Sequence, residues 1–278
     1  MTHIYINSEA LYFIGDIHGN FESINTFIKT RDIHNATLFF CGDCGFGFMS
    51  QEYYKKQVFP RLKKTLSRYN DYCIFVRGNH DDPSIFNSFT YNYKRIKAVP
   101  DYTVISAHQN SNKTSPCKNI LCVGGAISID RSYRIKKMKE SWSINPCYWA
   151  DENCVFNATV CNKLKESGIN IDVVVSHSCP LFCDPPLART AGIGSWITAE
   201  KFANLEELTG RDLMEDMRVE RVSLSNLYDC LIDNKSTLEC WFYGHYHFHN
   251  TMRVNSTTFC LLDMERNGIL DAHELVLH

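Results

Sequence analysis

The segment "YCIFVRGNHDDP" (residues 72–83) joins a continuous apolar run to a polar group that a simple turn does not require. Gly78 and Asn79 are common turn residues, but a change of chain direction does not need His80 followed by two aspartates. The unbroken apolar run predicts a strand that is buried on both faces. The polar group that follows it therefore indicates a functional loop at the end of a core strand.

Further apolar runs repeat this arrangement, and many of them also end in polar residues. They are ALYFI (10–14), TLFFC (37–41), NILCV (119–123), IDVVV (171–175), CWFY (240–243), TFCLL (258–262) and HELVL (273–277). Helical periodicity lies between several runs, over residues 21–28, over residues 54–66 with Ser50 as the N-cap, and over residues 160–164. Strands that alternate with helices predict the α/β class.

The composition indicates one globular domain and argues against two classes of protein. The chain has 278 residues, of which 44% are hydrophobic, and no linker or repeat interrupts it, so we predict a single domain over residues 1–278. The 29 Lys and Arg residues nearly balance the 31 Asp and Glu residues. This balance argues against a general binder of nucleic acids or membrane surfaces, although it leaves a locally basic pocket open.

The N-terminal residues and the 13 cysteines indicate a reducing compartment. Residues 1–15 lack the basic start and the apolar segment of a signal peptide, and no apolar run approaches the roughly 20 residues of a membrane span. We therefore expect a cytoplasmic protein without a membrane partner, in which thiols such as Cys41 and Cys73 pack as small core residues. A redox pair or half of a zinc site at Cys41 and Cys44, with Cys179 and Cys183 as the other half, is an alternative.

Five of the predicted strands end in side chains that can bind metal ions. In open α/β sheets, ligands bind beyond the carboxyl ends of the strands. The candidate metal ligands at these ends are Asp16, His18, Asp43, Asn79, His177, His245 and His247. Their mixture of oxygen and nitrogen donors suits Mn, Fe or Zn and exceeds what one tetrahedral ion uses. It predicts two divalent ions about 3.5–4 Å apart, bridged by a carboxylate and a water.

The order of the polar motifs resembles that of a known family. GDIHGN (15–20), GDCG (42–45), GNHD (78–81), SHS (176–178) and GHYH (244–247) follow the order of the calcineurin-like metallophosphoesterase signature, which spans most of the chain. The resemblance implies a four-layer α/β/β/α sandwich of two mixed β-sheets flanked by helices. A polar, helix-rich stretch marks a helical insertion at about residues 184–238, over the core and beside the active site.

The same resemblance divides the candidate ligands between two ions that Asp43 bridges. The set for one ion is Asp16, His18 and His247, and the set for the other ion is Asn79, His177 and His245. A hydroxide that bridges the two ions would attack phosphorus in line, so that no Ser or Cys nucleophile is required.

The resemblance also assigns roles to the other residues of GNHD. His80 would lie beside the substrate phosphate and protonate or hydrogen-bond the leaving oxygen. Asp81 would orient the imidazole of His80 and hold it charged. Gly78, which has no Cβ, would let the backbone come close to the site.

Three arginines are candidates for binding the substrate phosphate. The segment GGAISIDRSYR (124–134) carries Arg131 and Arg134, whose planar guanidinium groups match a phosphate, although a glycine turn with solvated arginines is the alternative. Arg77 directly precedes GNHD, at the matching place of the related Ser/Thr protein phosphatases. The second motif of those enzymes is GDxVDRG, whereas this chain has GDCGFGF. The arginine that binds phosphate in a protein phosphatase is therefore missing from this motif.

Together these features predict a metal-dependent phosphatase or phosphodiesterase that acts on a phosphorylated substrate. A nuclease of the same fold is one alternative, but it would need a basic groove, of which the charge balance gives no sign. A scaffold protein that has lost the chemistry is another, but such proteins usually lose metal ligands, which this chain keeps. The glycine-containing segment 189–196 would be either a lid near the site or an ordinary loop.

Overall fold

The computed structural model describes residues 1–109, 117–140, 146–183 and 208–277. The strands in these residues are β1 (His3–Asn7), β2 (Ala10–Ile14), β3 (Ala36–Phe40), β4 (Tyr72–Phe75), β5 (Ile96–Ala98), β6 (Thr103–His108), β7 (Cys117–Val123), β8 (Val173–Ser176), β9 (Cys240–Tyr243), β10 (Asn250–Val254), β11 (Thr257–Leu261) and β12 (Ala272–Val276). The α-helices are α1 (Phe21–Thr30), α2 (Gln51–Tyr53), α3 (Phe59–Tyr69), α4 (Pro83–Asn87), α5 (Arg131–Glu140), α6 (Ala158–Ser167) and α7 (Leu213–Asp233). A π-helical turn (Tyr54–Val58) joins α2 to α3, and a 3-10 turn (Leu181–Cys183) follows β8.

The strands form two mixed sheets. The five-stranded sheet has the order β12-β2-β3-β4-β5, in which only the pairing of β12 with β2 is antiparallel. The seven-stranded sheet has the order β1-β6-β7-β8-β9-β11-β10, and its four central strands β7, β8, β9 and β11 run parallel. Both sheets therefore present the carboxyl ends of several parallel strands at one edge.

Alternate residues of each central strand pack on opposite faces of its sheet. On β2, Leu11 and Phe13 pack between the two sheets, where the rings of Phe13 and Phe242 stack with centroids 4.0 Å apart. Tyr12 and Ile14 of the same strand pack against the helices on the other face. Because both faces are buried, the strand sequences are continuously apolar, and each large side chain contributes about 1.5–3 kcal/mol by its burial.

Helices cover the outer face of each sheet, and the fold is the predicted four-layer α/β/β/α sandwich. Ile24 of α1 and Leu62 of α3 belong to the cluster on the five-stranded sheet. Leu164 of α6 and Leu224 of α7 belong to the cluster on the seven-stranded sheet. The part of the expected insertion that is described thus supplies an outer layer of the sandwich, while residues 184–207, with the segment 189–196, lie outside the described residues.

The eight apolar runs are confirmed as strands, each within two residues of its predicted bounds. Ser50 caps α2 as predicted, because its side chain accepts a hydrogen bond from the Tyr53 N–H group. The sequence did not reveal β1, β5, β6 and β10, which are short or lie at or near sheet edges, nor α5, where a glycine turn with solvated arginines was the expected alternative. Within the described ranges, no helix combines the length and apolarity that a membrane crossing needs.

Candidate metal centre

The seven predicted metal ligands converge at the edge where the parallel strands of both sheets end. Three strands of the five-stranded sheet supply candidate ligands two to four residues after they end, namely Asp16 and His18 after β2, Asp43 after β3 and Asn79 after β4. Two strands of the seven-stranded sheet supply His177 after β8 and His245 and His247 after β9. The site therefore bridges the two sheets.

One half of the site lies at its solvent-facing rim. Ligand atoms of Asp16, His18, Asp43 and His247 all lie within 4.8 Å of one another. The His247 Nε2 atom is 3.2 Å from Asp16 Oδ2 and 3.1 Å from His18 Nε2. Two imidazole nitrogens and a carboxylate oxygen that approach one point are a donor set that suits a divalent transition metal.

The other half of the site is buried. The His177 Nε2 atom is 2.9 Å from Asn79 Oδ1 and 3.1 Å from Asp43 Oδ1, and the His245 ring packs against the His177 ring with centroids 4.9 Å apart. Separations near 3 Å are those expected between neighbouring ligands that bind one ion at about 2.1 Å. The residues present therefore fit a second cation on this side of Asp43.

The tautomer of His177 is set by the backbone. Its Nδ1 atom lies 2.7 Å from the Cys41 carbonyl oxygen, which can only accept a hydrogen bond, so Nδ1 carries the proton. In the neutral imidazole, which is the form that binds a metal ion, the lone pair is then on Nε2, the atom that faces Asn79 and Asp43. Such an outer contact is the usual device that orients a metal-binding histidine.

The electrostatics of the site favour positive charge between the ligands. Burial opposes charge on His177, but Asp43 and Asp16 outweigh it and raise the pKa of the imidazole to about 10. Burial likewise opposes charge on Asp43, but His177, His80 and His18 outweigh it and hold the pKa of the carboxyl group well below its usual value. A divalent cation would satisfy the same carboxylates.

Four of the candidate ligands have strained backbone conformations. The φ angles are 42° at His18, 45° at Asp43, 72° at His245 and 55° at His247. A non-glycine residue in this left-handed region costs on the order of 1–3 kcal/mol, and such residues concentrate at functional sites. The fold therefore maintains local strain where the candidate ligands lie.

Asp81 joins the loop after β3 to the loop after β4. Its carboxylate accepts hydrogen bonds from the backbone N–H groups of Cys44 (3.1 Å), Phe46 (2.8 Å) and Gly78 (2.8 Å). This corrects the role expected for Asp81, because its oxygens are directed to the backbone and not to the imidazole of His80. A Cβ at Gly78 would lie 2.2 Å from Asp43 Oδ1, so the close approach expected there does require glycine.

His80 lies beside the rim half of the site and contacts Arg134. One guanidinium nitrogen of Arg134 is 2.9 Å from His80 Nδ1, and the other contacts His80 Nε2. His80 Nε2 is 3.7 Å from Asp43 Oδ2. Burial lowers the pKa of His80 to about 3, against the attraction of Asp43 and with the repulsion of Arg134, which favours the neutral imidazole.

Of the three predicted phosphate-binding arginines, the structure brings only Arg134 to the site. Arg77 is buried and donates to the Glu152 carbonyl (2.8 Å) and to the Asp101 carboxylate (2.9 Å). Arg131 is buried as well and pairs with the carboxylate of Asp216 on α7. Both guanidinium groups are therefore bound within the protein, which corrects their expected role in binding substrate.

Sequence reasoning missed two polar residues behind the buried half of the site. Ser128 accepts a hydrogen bond from the side-chain amide of Asn79 at 2.9 Å and donates one to the Glu152 carboxylate at 2.6 Å. The segment that carries Ser128, residues 124–134, did stand out in the sequence. Nothing in the spacing of Ser128 and Glu152 indicated that they would meet Asn79.

Comparison with known proteins agrees with the geometry of the site. The family model of the calcineurin-like phosphoesterases matches residues 10–248. None of the curated proteins with which the sequence was compared matches it.

Solved structures with a similar course of the chain have low sequence identity. GAP50, the anchor in the inner membrane complex of Plasmodium, is 14% identical with a TM-score of 0.47, and the match covers 96% of this chain and 81% of the GAP50 chain. The phosphopantetheinyl hydrolase PptH of Mycobacterium tuberculosis is 13% identical with a TM-score of 0.43, covering 96% of both chains. A dimetal phosphatase of Danio rerio is 11% identical with a TM-score of 0.42, and the match covers 92% of this chain and 87% of the phosphatase chain.

Proposed function

Because the chain belongs to the calcineurin-like phosphoesterase family, we propose that it is a hydrolase of phosphoesters that uses two divalent metal ions. The observation that supports this proposal most is the convergence of seven oxygen- and nitrogen-donating side chains on the two sides of Asp43. Mn, Fe and Zn are the ions that suit this mixture of ligands.

The bound ions, His80 and Arg134 would have different parts in the proposed reaction. Bound ions would supply the charge that stabilises the phosphoryl oxygens and activates water for attack. His80, as a neutral imidazole, would hydrogen-bond the substrate or the leaving oxygen. Arg134 would turn its two nitrogens from His80 to the phosphate, whose oxygens a guanidinium group binds in a bidentate manner.

One observation favours a nucleic-acid substrate as the second candidate. The helix α5, which brings Arg134 to His80, also exposes Lys136, Lys137 and Lys139. A basic helix beside the site would attract a substrate with several phosphates, even though the chain as a whole has a net charge of −2.

Metal analysis combined with a substrate panel tests the proposal. The purified protein, reconstituted with manganese, should bind close to two ions per chain and hydrolyse an aryl phosphomonoester or an aryl phosphodiester. A single-stranded oligonucleotide in the same panel tests the second candidate. If the protein bound two ions and hydrolysed none of these compounds, the hydrolase proposal would be rejected in favour of a scaffold.

A further inference from the structure

We propose that Ser128 and Glu152 are positioning residues that hold the Asn79 amide with its oxygen toward the buried metal ion. This inference rests on the proposed function for the presence of that ion. Asn79, Ser128 and Glu152 are exposed by 2%, 0% and 1%, so water does not compete for their contacts. The three residues come from separate segments, after β4, after β7 and before α6.

The contacts determine which end of the Asn79 amide faces the ion. Glu152 Oε1 accepts from the Ser128 backbone N–H at 2.7 Å, and Glu152 Oε2 accepts from the Ser128 hydroxyl at 2.6 Å. The hydroxyl has one proton, and Glu152 takes it, so the Ser128 Oγ atom can only accept from its other neighbour. That neighbour is Asn79 Nδ2, at 2.9 Å. The amide oxygen is left on the opposite side, toward His177 and Asp43.

An asparagine needs such a device because the two ends of its amide have nearly the same shape. With the amide reversed, an NH2 group would face the ion, and NH2 cannot bind a cation. A bound histidine has a similar outer partner in many metal sites, and loss of that partner typically weakens metal binding 10–100-fold. The contact of Cys41 with His177 is the equivalent device on the neighbouring ligand.

Arg77 holds Glu152 in place through the backbone. Its guanidinium group donates to the carbonyl oxygens of Asp151 (3.2 Å), Glu152 (2.8 Å) and Asn153 (3.3 Å). Gly125 makes this packing possible, because its φ is +99° and a Cβ there would lie 2.6 Å from the Glu152 carbonyl oxygen. The arginine before GNHD thus supports a ligand of GNHD through the loop that carries Glu152.

The carboxyl group of Glu152 has to be ionised for this arrangement. Burial raises its pKa to about 8, while the two donors from Ser128 and the charge of Arg134 act in the opposite direction. Metal binding is therefore best measured at about pH 8.5, where the carboxylate form is populated.

Glu152→Gln tests the polarity of the contacts at nearly unchanged volume. Glutamine offers one acceptor and one NH2 group, so it cannot accept from both donors of Ser128. Ser128→Ala removes the acceptor for Asn79 without a change of charge. Ser106→Ala is the matched control, because Ser106 is buried and its hydroxyl donates to the side chain of Asn119 at 2.6 Å on strands β6 and β7.

The full chain is titrated with manganese. Calorimetry measures the affinity for each ion, and the EPR signal of a coupled ion pair shows whether both ions are bound. We expect one of the two ions to bind all proteins equally. The ion on the Asn79 side should bind Glu152→Gln and Ser128→Ala at least about 10-fold more weakly, with loss of the coupled signal. Ser106→Ala should bind both ions as the wild type does. Thermal unfolding in the presence of a chelator establishes whether each variant is folded. If Ser128→Ala is not folded, metal binding by Glu152→Gln alone tests the inference.

An unchanged affinity for both ions in folded Glu152→Gln would overturn the inference. Binding of fewer than two ions by the wild type would overturn both the inference and the proposed function. If the wild type binds two ions, the variants bind one of them more weakly and no phosphoester is hydrolysed, the positioning role stands and the hydrolase proposal is rejected.

Discussion

The two sides of Asp43 differ in how the protein holds the ligands. On the rim side, the side chains of His18 and His247 are 23% and 27% exposed, and their ring nitrogens contact each other and Asp16. On the buried side, the side chain of His177 has no exposed surface, and the contacts of Asn79 extend to Ser128. The buried side chains are therefore held by surrounding groups, whereas the histidines of the rim side contact mainly each other and Asp16.

This difference has consequences for metal binding. Prearranged ligands pay less conformational entropy when an ion binds, because their rotamers are already held. The buried side also excludes water, which strengthens its electrostatic contacts.

Asp43→Asn should have the largest effect, because it alters the one ligand that both sides share. We expect turnover to fall by more than about 1000-fold, beyond the 10²–10³-fold typical for loss of one charge-stabilising donor. Phosphoesterase assays and metal analysis measure the two effects. Asp82→Asn is the control, since Asp82 caps α4 in the same loop and asparagine is an equally good N-cap. Wild-type turnover in Asp43→Asn would contradict the assignment of the bridge.

His80→Ala should have a smaller effect that is confined to turnover. His80 lies beside the rim but is not a candidate ligand, so the variant should keep both ions and lose turnover by about 100-fold, the lower range for loss of a proton-transfer or hydrogen-bonding side chain. Kinetic assays on metal-loaded protein check this. Loss of an ion from the variant would mean that His80 is a ligand and that the division of the site is wrong.

His177→Ala and His18→Ala should lower the stability of the metal-free protein by different amounts. Without metal, this difference depends only on how the protein holds the two sides. Loss of the buried imidazole removes one partner of Asp43 and the partner that His177 provides for the Cys41 carbonyl, and it should lower the free energy of unfolding by about 2–4 kcal/mol. Loss of the partly exposed His18 should cost less than about 1 kcal/mol. Urea denaturation in chelator measures both values. Equal costs would show that burial does not distinguish the two sides.

Some features of the fold could be predicted because they depend on local sequence. Residues 10–14, 72–75 and 240–243 are buried on both faces, and the need for apolar side chains on each face makes such strands visible as continuous runs. The helix α5 was not visible, because only three of its residues are buried and most of the others are charged. Its helical form depends on packing that the sequence does not display.

The sequence by itself determined the candidate metal ligands, because each one follows a core strand within four residues and the carboxyl ends of parallel strands meet at one edge. Only the tertiary structure decided what the arginines do. Arg131 and Arg134 lie three residues apart on α5, yet the first pairs with Asp216 of α7 and the second contacts His80. The tertiary structure also brings Ser128 and Glu152 together behind Asn79. Contacts between segments far apart in the chain depend on how layers pack, and the spacing of residues along one segment carries no record of that packing.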